Sequence, residues 1–294
     1  MKQELIETAK RLGVSAVGFT EAEVYTDLRE ILLRRNTVFS NDELEKRINP
    51  FLILPNAKSI IVLLCSYYTG RRGNISAYAF GRDYHRVLAE KCEELALVLE
   101  RNGYTARSYC DTGDLCERYL ACRAGLGFIG KNGFLISPEY GTYVFIAHIV
   151  TDCPLPPDKP LEKSCAGCGK CIKACPGGAL GAEYQFAAEK CLSYITQRKG
   201  ALTSEEEKLI QKSGCAWGCD ICQNVCPYNR HIQKTALPDF SADLITELAL
   251  DENISNREFK LRYGDRSFAW RGKNVLLRNL AILRRNDKHA NMKR

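Results

Sequence analysis

Residues 165–176 read Cys165-Ala-Gly-Cys168-Gly-Lys-Cys171-Ile-Lys-Ala-Cys175-Pro176. Cysteines at this spacing, closed by a proline, wrap an iron–sulfur cubane, and the fourth cysteine of such a run commonly ligates the other cluster of a pair. A related run, Cys219-x2-Cys222-x3-Cys226-Pro227, lies downstream. It lacks a matching cysteine ahead of Cys219: position 216 is alanine, Cys215 is one residue off, and Cys191 lies further upstream. Cross-pairing gives one set of Cys165, Cys168, Cys171 and Cys226. The other set takes Cys175, Cys219, Cys222 and either Cys191 or Cys215. Cys-x2-Cys pairs also bind zinc, but two Cys-Pro endings and eight candidate ligands favour two [4Fe–4S] clusters.

The rest of the chain says where such clusters would sit. Its 294 residues suggest two domains, or one large domain with an insertion. Hydrophobic residues make up 45% and charged residues 26%, the composition of a soluble globular protein. No apolar run approaches the roughly 18 residues of a membrane helix. The N-terminal MKQELIETAKRLGVSAVGF reads as an amphipathic helix and a strand, not a signal peptide. A cytoplasmic protein without a membrane span is therefore expected. Thiols stay reduced in that compartment, so fifteen cysteines there indicate metal ligation and not a disulfide framework. The scattered Cys65, Cys92, Cys110, Cys116, Cys122 and Cys153 read as small buried hydrophobes.

The pattern outside the cysteine region is α+β. Ser59–Tyr68 (SIIVLLCSYY) predicts a buried strand, Arg86–Arg101 a helix, and Tyr143–Val150 (YVFIAHIV) another strand. The proline-rich CPLPPDKPLEK (153–163) predicts a junction. Three segments result: 1–155, 156–232 as a ferredoxin-like two-cluster unit, and a helical basic segment at 233–294. From 251 to 294 there are twelve Lys/Arg against five Asp/Glu, so the whole formal excess of +7 sits there. Local basicity of this kind suits a polyanion such as nucleic acid, and equally a solvated helical face.

A ferredoxin alone ends at about 80 residues, so residues 1–155 are expected to hold whatever receives the electrons. Gly125-Leu126-Gly127-Phe128-Ile129-Gly130 fits G-x-G-x-x-G, but it follows a helical stretch, which fails the context for dinucleotide binding. No P-loop is present. The nearest match to a histidine-ligated corrinoid motif, D-x-H-x-x-G, is Asp83-Tyr84-His85-Arg86-Val87-Leu88, which lacks the glycine.

Tyr109-Cys110-Asp111-Thr112-Gly113, Glu117-Arg118, and Arg123 to Asn132 (RAGLGFIGKN) resemble the core of the epoxyqueuosine reductase family. So do Ser193–Gly200 (SYITQRKG) and Trp270-Arg271-Gly272-Lys273. The resemblance covers about residues 1–280. It implies a nitroreductase-like cobalamin-binding domain and reduction of the epoxide of epoxyqueuosine at the tRNA wobble position to queuosine. It also implies use of cobalamin fed by two [4Fe–4S] clusters, and kinship with reductive dehalogenases. Many members carry a further C-terminal helical-repeat region, so the chain reads as a short form.

The resemblance further implies that Asp111 donates the proton, and that Cys191 instead of Cys215 completes the second set. It implies that Ser193, Cys219 and Asp220 lie near the corrinoid; Lys131 and Asn132 either line the same cavity or simply end a turn. The missing D-x-H-x-x-G histidine suggests cobalt in the base-off form without a protein axial ligand. A carboxyl that donates near neutral pH needs a pKa raised by burial, which the uncharged Tyr109, Cys110 and Thr112 permit. Asp111 could also cap the helix that follows. Arg271 and Lys273 are the candidate phosphate contacts.

Expected partners are tRNA carrying epoxyqueuosine and an external low-potential electron donor, with the chain a monomer. The alternatives are a related reductive dehalogenase acting on a small halogenated molecule, and a ferredoxin-type electron-transfer protein without a substrate. Corrinoid binding separates the last from both enzymes, and salt-sensitive affinity for tRNA separates the two enzymes.

Overall fold

The computed structural model describes residues 1–35 and 44–291; Lys293 and Arg294 of the basic segment lie outside the described residues. A four-stranded antiparallel sheet organises residues 1–155. Its strands are β1 (Ala16–Glu21), β2 (Ser59–Ser66), β3 (Ala106–Cys110) and β6 (Val144–Thr151), in the order β1-β2-β6-β3. A small hairpin of β4 (Phe128–Ile129) and β5 (Leu135–Ile136) lies apart from it.

The apolar run of β2 explains its central place, because all eight residues are buried and both faces need cover. Side chains alternate across a strand, so Ile61, Leu63 and Cys65 enter one core while Ile60, Val62 and Leu64 enter another. The first core is covered by α1 (Lys2–Arg11) and α4 (Tyr84–Arg101), through Leu5, Ala9, Leu88 and Leu95. The second is covered by α2 (Thr26–Arg35), α3 (Leu44–Ile48) and α5 (Glu117–Arg123), through Leu28, Ile48 and Leu120. On β6, Ala147 and Ile149 join the first core and Val150 the second, so His148 faces α5. The predicted strands and long helix match β2, β6 and α4 within two residues at each end.

The cysteine-rich region adds α6 (Lys170–Ala174), α7 (Leu192–Gln197), α8 (Ser204–Ser213) and α9 (Ile221–Asn224). After it come α10 (Pro238–Ser241), α11 (Asn256–Tyr263) and α12 (Lys273–Asn291). These segments share the first core, since Trp217, Phe240, Phe268, Leu276 and Leu280 pack with Leu5 and Leu88. A smaller cluster of Leu192, Ile195, Ile210 and Ile282 ties α7, α8 and α12 together. None of the described helices is long and apolar enough to cross a membrane.

Candidate active site

The thiols fall into two groups. Cys165, Cys168, Cys171 and Cys226 line one cavity, whose wall continues through Gly130, Lys131 and Asn132. Burial pushes the Cys226 thiol up, and the three other sulfurs of this group push it further. The second group is Cys175, Cys191, Cys219 and Cys222. Burial raises Cys219 to about 12, with Cys191 and Cys175 adding to it, and Cys222 is raised by burial and by all three of its companions. Four sulfurs gathered around Cys-x2-Cys runs are a donor set for a metal cluster, though among the described residues no three of them are yet drawn to the spacing of ligands on one ion. Cys215 is turned elsewhere: its sulfur donates to the carbonyls of Trp217 and Gly218, each at 3.3 Å.

Asp111 ends β3 in a tight turn. Its φ is +60°, and the Thr112 N–H donates across it to the Cys110 carbonyl at 2.6 Å. A left-handed conformation at a non-glycine residue costs about 1–3 kcal/mol. The Asp111 N–H donates to Glu117 Oε1 at 2.8 Å. A hydrogen bond to a charged acceptor contributes about 1.5–3 kcal/mol, enough to offset that cost. The carboxyl accepts from the Tyr84 hydroxyl at 2.6 Å, and His85 Nε2 lies 3.3 Å from the same oxygen. His85 Nδ1 lies 2.8 Å from Asp83 Oδ1, the carboxylate that also caps α4 through the His85 N–H.

Two expectations for Asp111 are corrected here. Its pKa is lowered, not raised, because the His85 hydrogen bond outweighs burial and Tyr84 adds to it. The proton is instead favoured on His85, which hydrogen bonds to Asp111 and Asp83 push up to about 9. Nor does Asp111 cap the following helix, because α5 has Cys116 at its N-cap. Sequence reading missed Tyr84 and His85 as partners. The signal was there in Asp83-Tyr84-His85, a run that places a phenol and an imidazole at a helix start.

The Tyr78 ring packs edge-on against Tyr84, and its hydroxyl accepts from Trp217 Nε1 at 2.7 Å. Burial raises the Tyr78 phenol, and Asp220 and Asp111 both add to the shift. Tyr78 thus joins the Asp111 face to the loop that carries Cys219. Asp220 accepts from Ser76 Oγ at 2.5 Å, from the Ala77 N–H at 2.6 Å and from Gln223 Nε2 at 3.0 Å. Burial raises its pKa, and these donors oppose the rise. Gly218, at φ +70°, lets this loop approach, since a Cβ there would lie 2.5 Å from Ser76 Cβ.

Ser193 sits at the start of α7, beside Cys191. Its hydroxyl accepts from Gln197 Nε2 at 3.2 Å and keeps its own proton to donate. Lys131 and Asn132 lie at the wall of the first thiol cavity. The Asn132 Oδ1 accepts from the Phe134 N–H, which fixes the amide, and its buried Nδ2 has no partner among the described residues. A buried donor without an acceptor fits a bound cofactor that supplies one.

The basic segment is more structural than its charge suggests. Lys273 donates to the Ile254 carbonyl, which commits this expected phosphate contact to the fold. Arg278 donates to the carbonyls of Arg198 and Gly200, Arg284 pairs with Glu252, and Arg285 with Glu207. Arg271 behaves differently. Its guanidinium stacks 3.8 Å from the ring centre of Trp270, which is 64% exposed.

A sheet bearing a gripped carboxyl, joined to two groups of four thiols, is the build of an iron–sulfur oxidoreductase, and residues 164–229 match the family model of a 4Fe-4S double cluster binding domain. Residues 47–112 match the model of the epoxyqueuosine reductase QueG. The epoxyqueuosine reductase of Bacillus subtilis is 38% identical, over 99% of this chain and 80% of its own length. The chain belongs to the epoxyqueuosine reductase family. An epoxyqueuosine reductase solved with a tRNA-Tyr epoxyqueuosine-modified stem loop superposes with a TM-score of 0.87 at 36% identity, covering 97% of this chain and 81% of that one. A reductive dehalogenase whose structure suggests a mechanism for B12-dependent dehalogenation shares the fold, with a TM-score of 0.53 at 19% identity over 96% of this chain and 35% of its own.

Proposed function

We propose that the chain reduces the epoxide of epoxyqueuosine at the wobble position of tRNA, with Asp111 as the proton-delivering group. Going from the epoxide to queuosine consumes two electrons and two protons, and the oxygen leaves as water. The observation that carries this reading is the Asp111 carboxyl, held by Tyr84 and His85 on the face that Tyr78 joins to the Cys219–Asp220 loop.

The ligand sets are Cys165, Cys168, Cys171 and Cys226 for one [4Fe–4S] cluster, and Cys175, Cys191, Cys219 and Cys222 for the other. Ser193, Cys219, Asp220, Lys131 and Asn132 are the residues proposed to meet a cobalamin, Ser193 through the hydroxyl proton described above, and Lys131 and Asn132 from the stretch that also walls the first thiol cavity. When bound, the clusters and the cobalamin supply low-potential electrons and a strongly nucleophilic metal centre. Neither nitrogen of the His85 ring is free for cobalt, since Asp83 and Asp111 engage them. This supports a base-off cofactor without a protein axial ligand.

The chain's own residues handle the proton. At neutral pH the pair is imidazolium and carboxylate, so one transferable proton rests between His85 and Asp111. Asp111, the more exposed of the two, delivers that proton to the leaving oxygen, and the second of the two protons comes from solvent, taken up again by the His85–Asp111 pair. Arg271 on Trp270 supports the tRNA reading, because an aromatic face open to solvent beside a cation can take an unstacked base.

The test is anaerobic turnover of epoxyqueuosine-bearing tRNA by the cluster-loaded chain with cobalamin and a chemical reductant. Queuosine formation is expected, and its absence with fully loaded protein would sink the assignment. Iron content tests the ligand sets. Cys191→Ala should lose about half the iron per chain, as expected when one of two cubanes loses a ligand, while Cys215→Ala should keep it all. The reverse result would put Cys215 in the second set.

A further inference from the structure

The turn that presents Asp111 is held by more than the groups that grip its carboxyl. Glu117, the first residue of α5, reaches back across the loop and accepts the Asp111 N–H at 2.8 Å. Behind it lies His148 of β6, which is fully buried. Its Nδ1 is 3.5 Å from the same Glu117 oxygen, and neither ring nitrogen has a hydrogen-bond partner among the described residues. The His148 ring stacks on Tyr109, two residues before Asp111. On the other side of the turn, a Cβ at Gly113 would lie 3.1 Å from His148 Cε1 and 2.8 Å from Tyr109 Cβ. One buried ring therefore backs the turn before and after Asp111, and the carboxylate beside that ring fixes its centre.

We propose that Glu117 is a positioning residue for Asp111: seated against buried His148, it holds the Asp111 amide so that the carboxyl stays within reach of Tyr84 and His85. The proposal rests on the reading of Asp111 as proton donor. Glu117 touches neither the Asp111 carboxyl nor the reacting atoms in this role. Its effect is to select one arrangement of a strained turn, which tolerates little displacement in the transition state.

The test is a double-mutant cycle in the full chain loaded with clusters and cobalamin. Glu117→Ala is expected to lower kcat about 100-fold, the loss that a displacement near 1 Å produces, with KM for tRNA within about twofold. Glu117→Gln keeps an oxygen for the Asp111 amide and is expected to recover most of the rate. In an Asp111→Asn background, Glu117→Ala should cost less than about threefold, because it acts through a carboxyl that is already gone.

Hydrogen–deuterium exchange of residues 108–114 should rise in Glu117→Ala and not in Glu117→Gln, which reads the turn without reference to turnover. Fully additive rate losses, or unchanged kcat and exchange in Glu117→Ala, would overturn the proposal. Should Asp111→Asn itself keep wild-type kcat, the donor reading fails instead. The exchange data then still decide whether Glu117 holds the turn.

Discussion

Asp111 and Asp220 both act on the Tyr78 phenol, yet their carboxyls are held in opposite ways. Asp111 meets groups that carry exchangeable protons, a phenol and an imidazole, and its pKa falls. Asp220 meets a serine hydroxyl, a backbone amide and a carboxamide, none of which titrates, and its pKa rises with burial. The first arrangement can store and pass a proton. The second fixes a loop beside Cys219. The difference shows that a site aspartate's role is set by whether its partners can change protonation, more than by how deeply it is buried.

The comparison breaks most visibly in turnover. Asp111→Asn keeps the shape of the side chain but cannot exchange a proton with His85, and kcat is expected to fall about 10²- to 10⁴-fold, the range for a lost general acid. Asp220→Asn leaves the His85–Asp111 proton store in place, so any kcat loss there, at a residue proposed to meet the cobalamin, should keep the wild-type pH dependence, and a changed pH profile would erase the distinction. The order reverses in stability. Asp220→Asn leaves one of three buried donors facing an NH2 group and is expected to cost about 1–3 kcal/mol in chemical denaturation. Asp111→Asn, on an exposed turn, should cost less.

The smallest effect is in pH. His85 is raised to about 9, so its ion pair contributes fully below its unfolded value near 6.5 and fades as pH climbs through about 9. Asp111 is lowered, so its share is present above about pH 4 and is lost on acidification. The difference in Tm between wild type and His85→Gln should therefore be widest near pH 5–6.5 and close by about pH 10. A difference that does not vary with pH would show that His85 acts by packing alone.

Much of this was legible in the sequence. The cysteine spacing assigned seven of the eight candidate ligands and left one open between Cys191 and Cys215, because ligand runs are local. The buried strand of 59–66 announced itself as an unbroken apolar run. What stayed hidden depends on register and on long-range contact. His148 sits opposite Tyr109 and Val62 only because β6 pairs with both β3 and β2 in one register. Asp111 meets His85 because α4 starts beside the end of β3, 26 positions earlier in the chain. The uncharged neighbours of Asp111 pointed to a raised pKa, and a contact from outside the motif reversed it. Net charge misled in the same way at Lys273, Arg278 and Arg284, whose cations are spent on carbonyls and carboxylates of the fold itself.

Asn279 of α12 is fully buried, and its amide donates to the carbonyls of Thr196 at 2.7 Å and Ala216 at 2.8 Å. Those carbonyls belong to the two stretches that carry Cys191 and Cys219, and the Thr196 hydroxyl further accepts the Gly218 N–H at 2.9 Å. Three ordinary hydrogen bonds therefore hold together two cysteine-bearing stretches that are far apart in the chain. A change at Asn279 would therefore be felt at both stretches at once, so one buried amide couples the placement of Cys191 to that of Cys219.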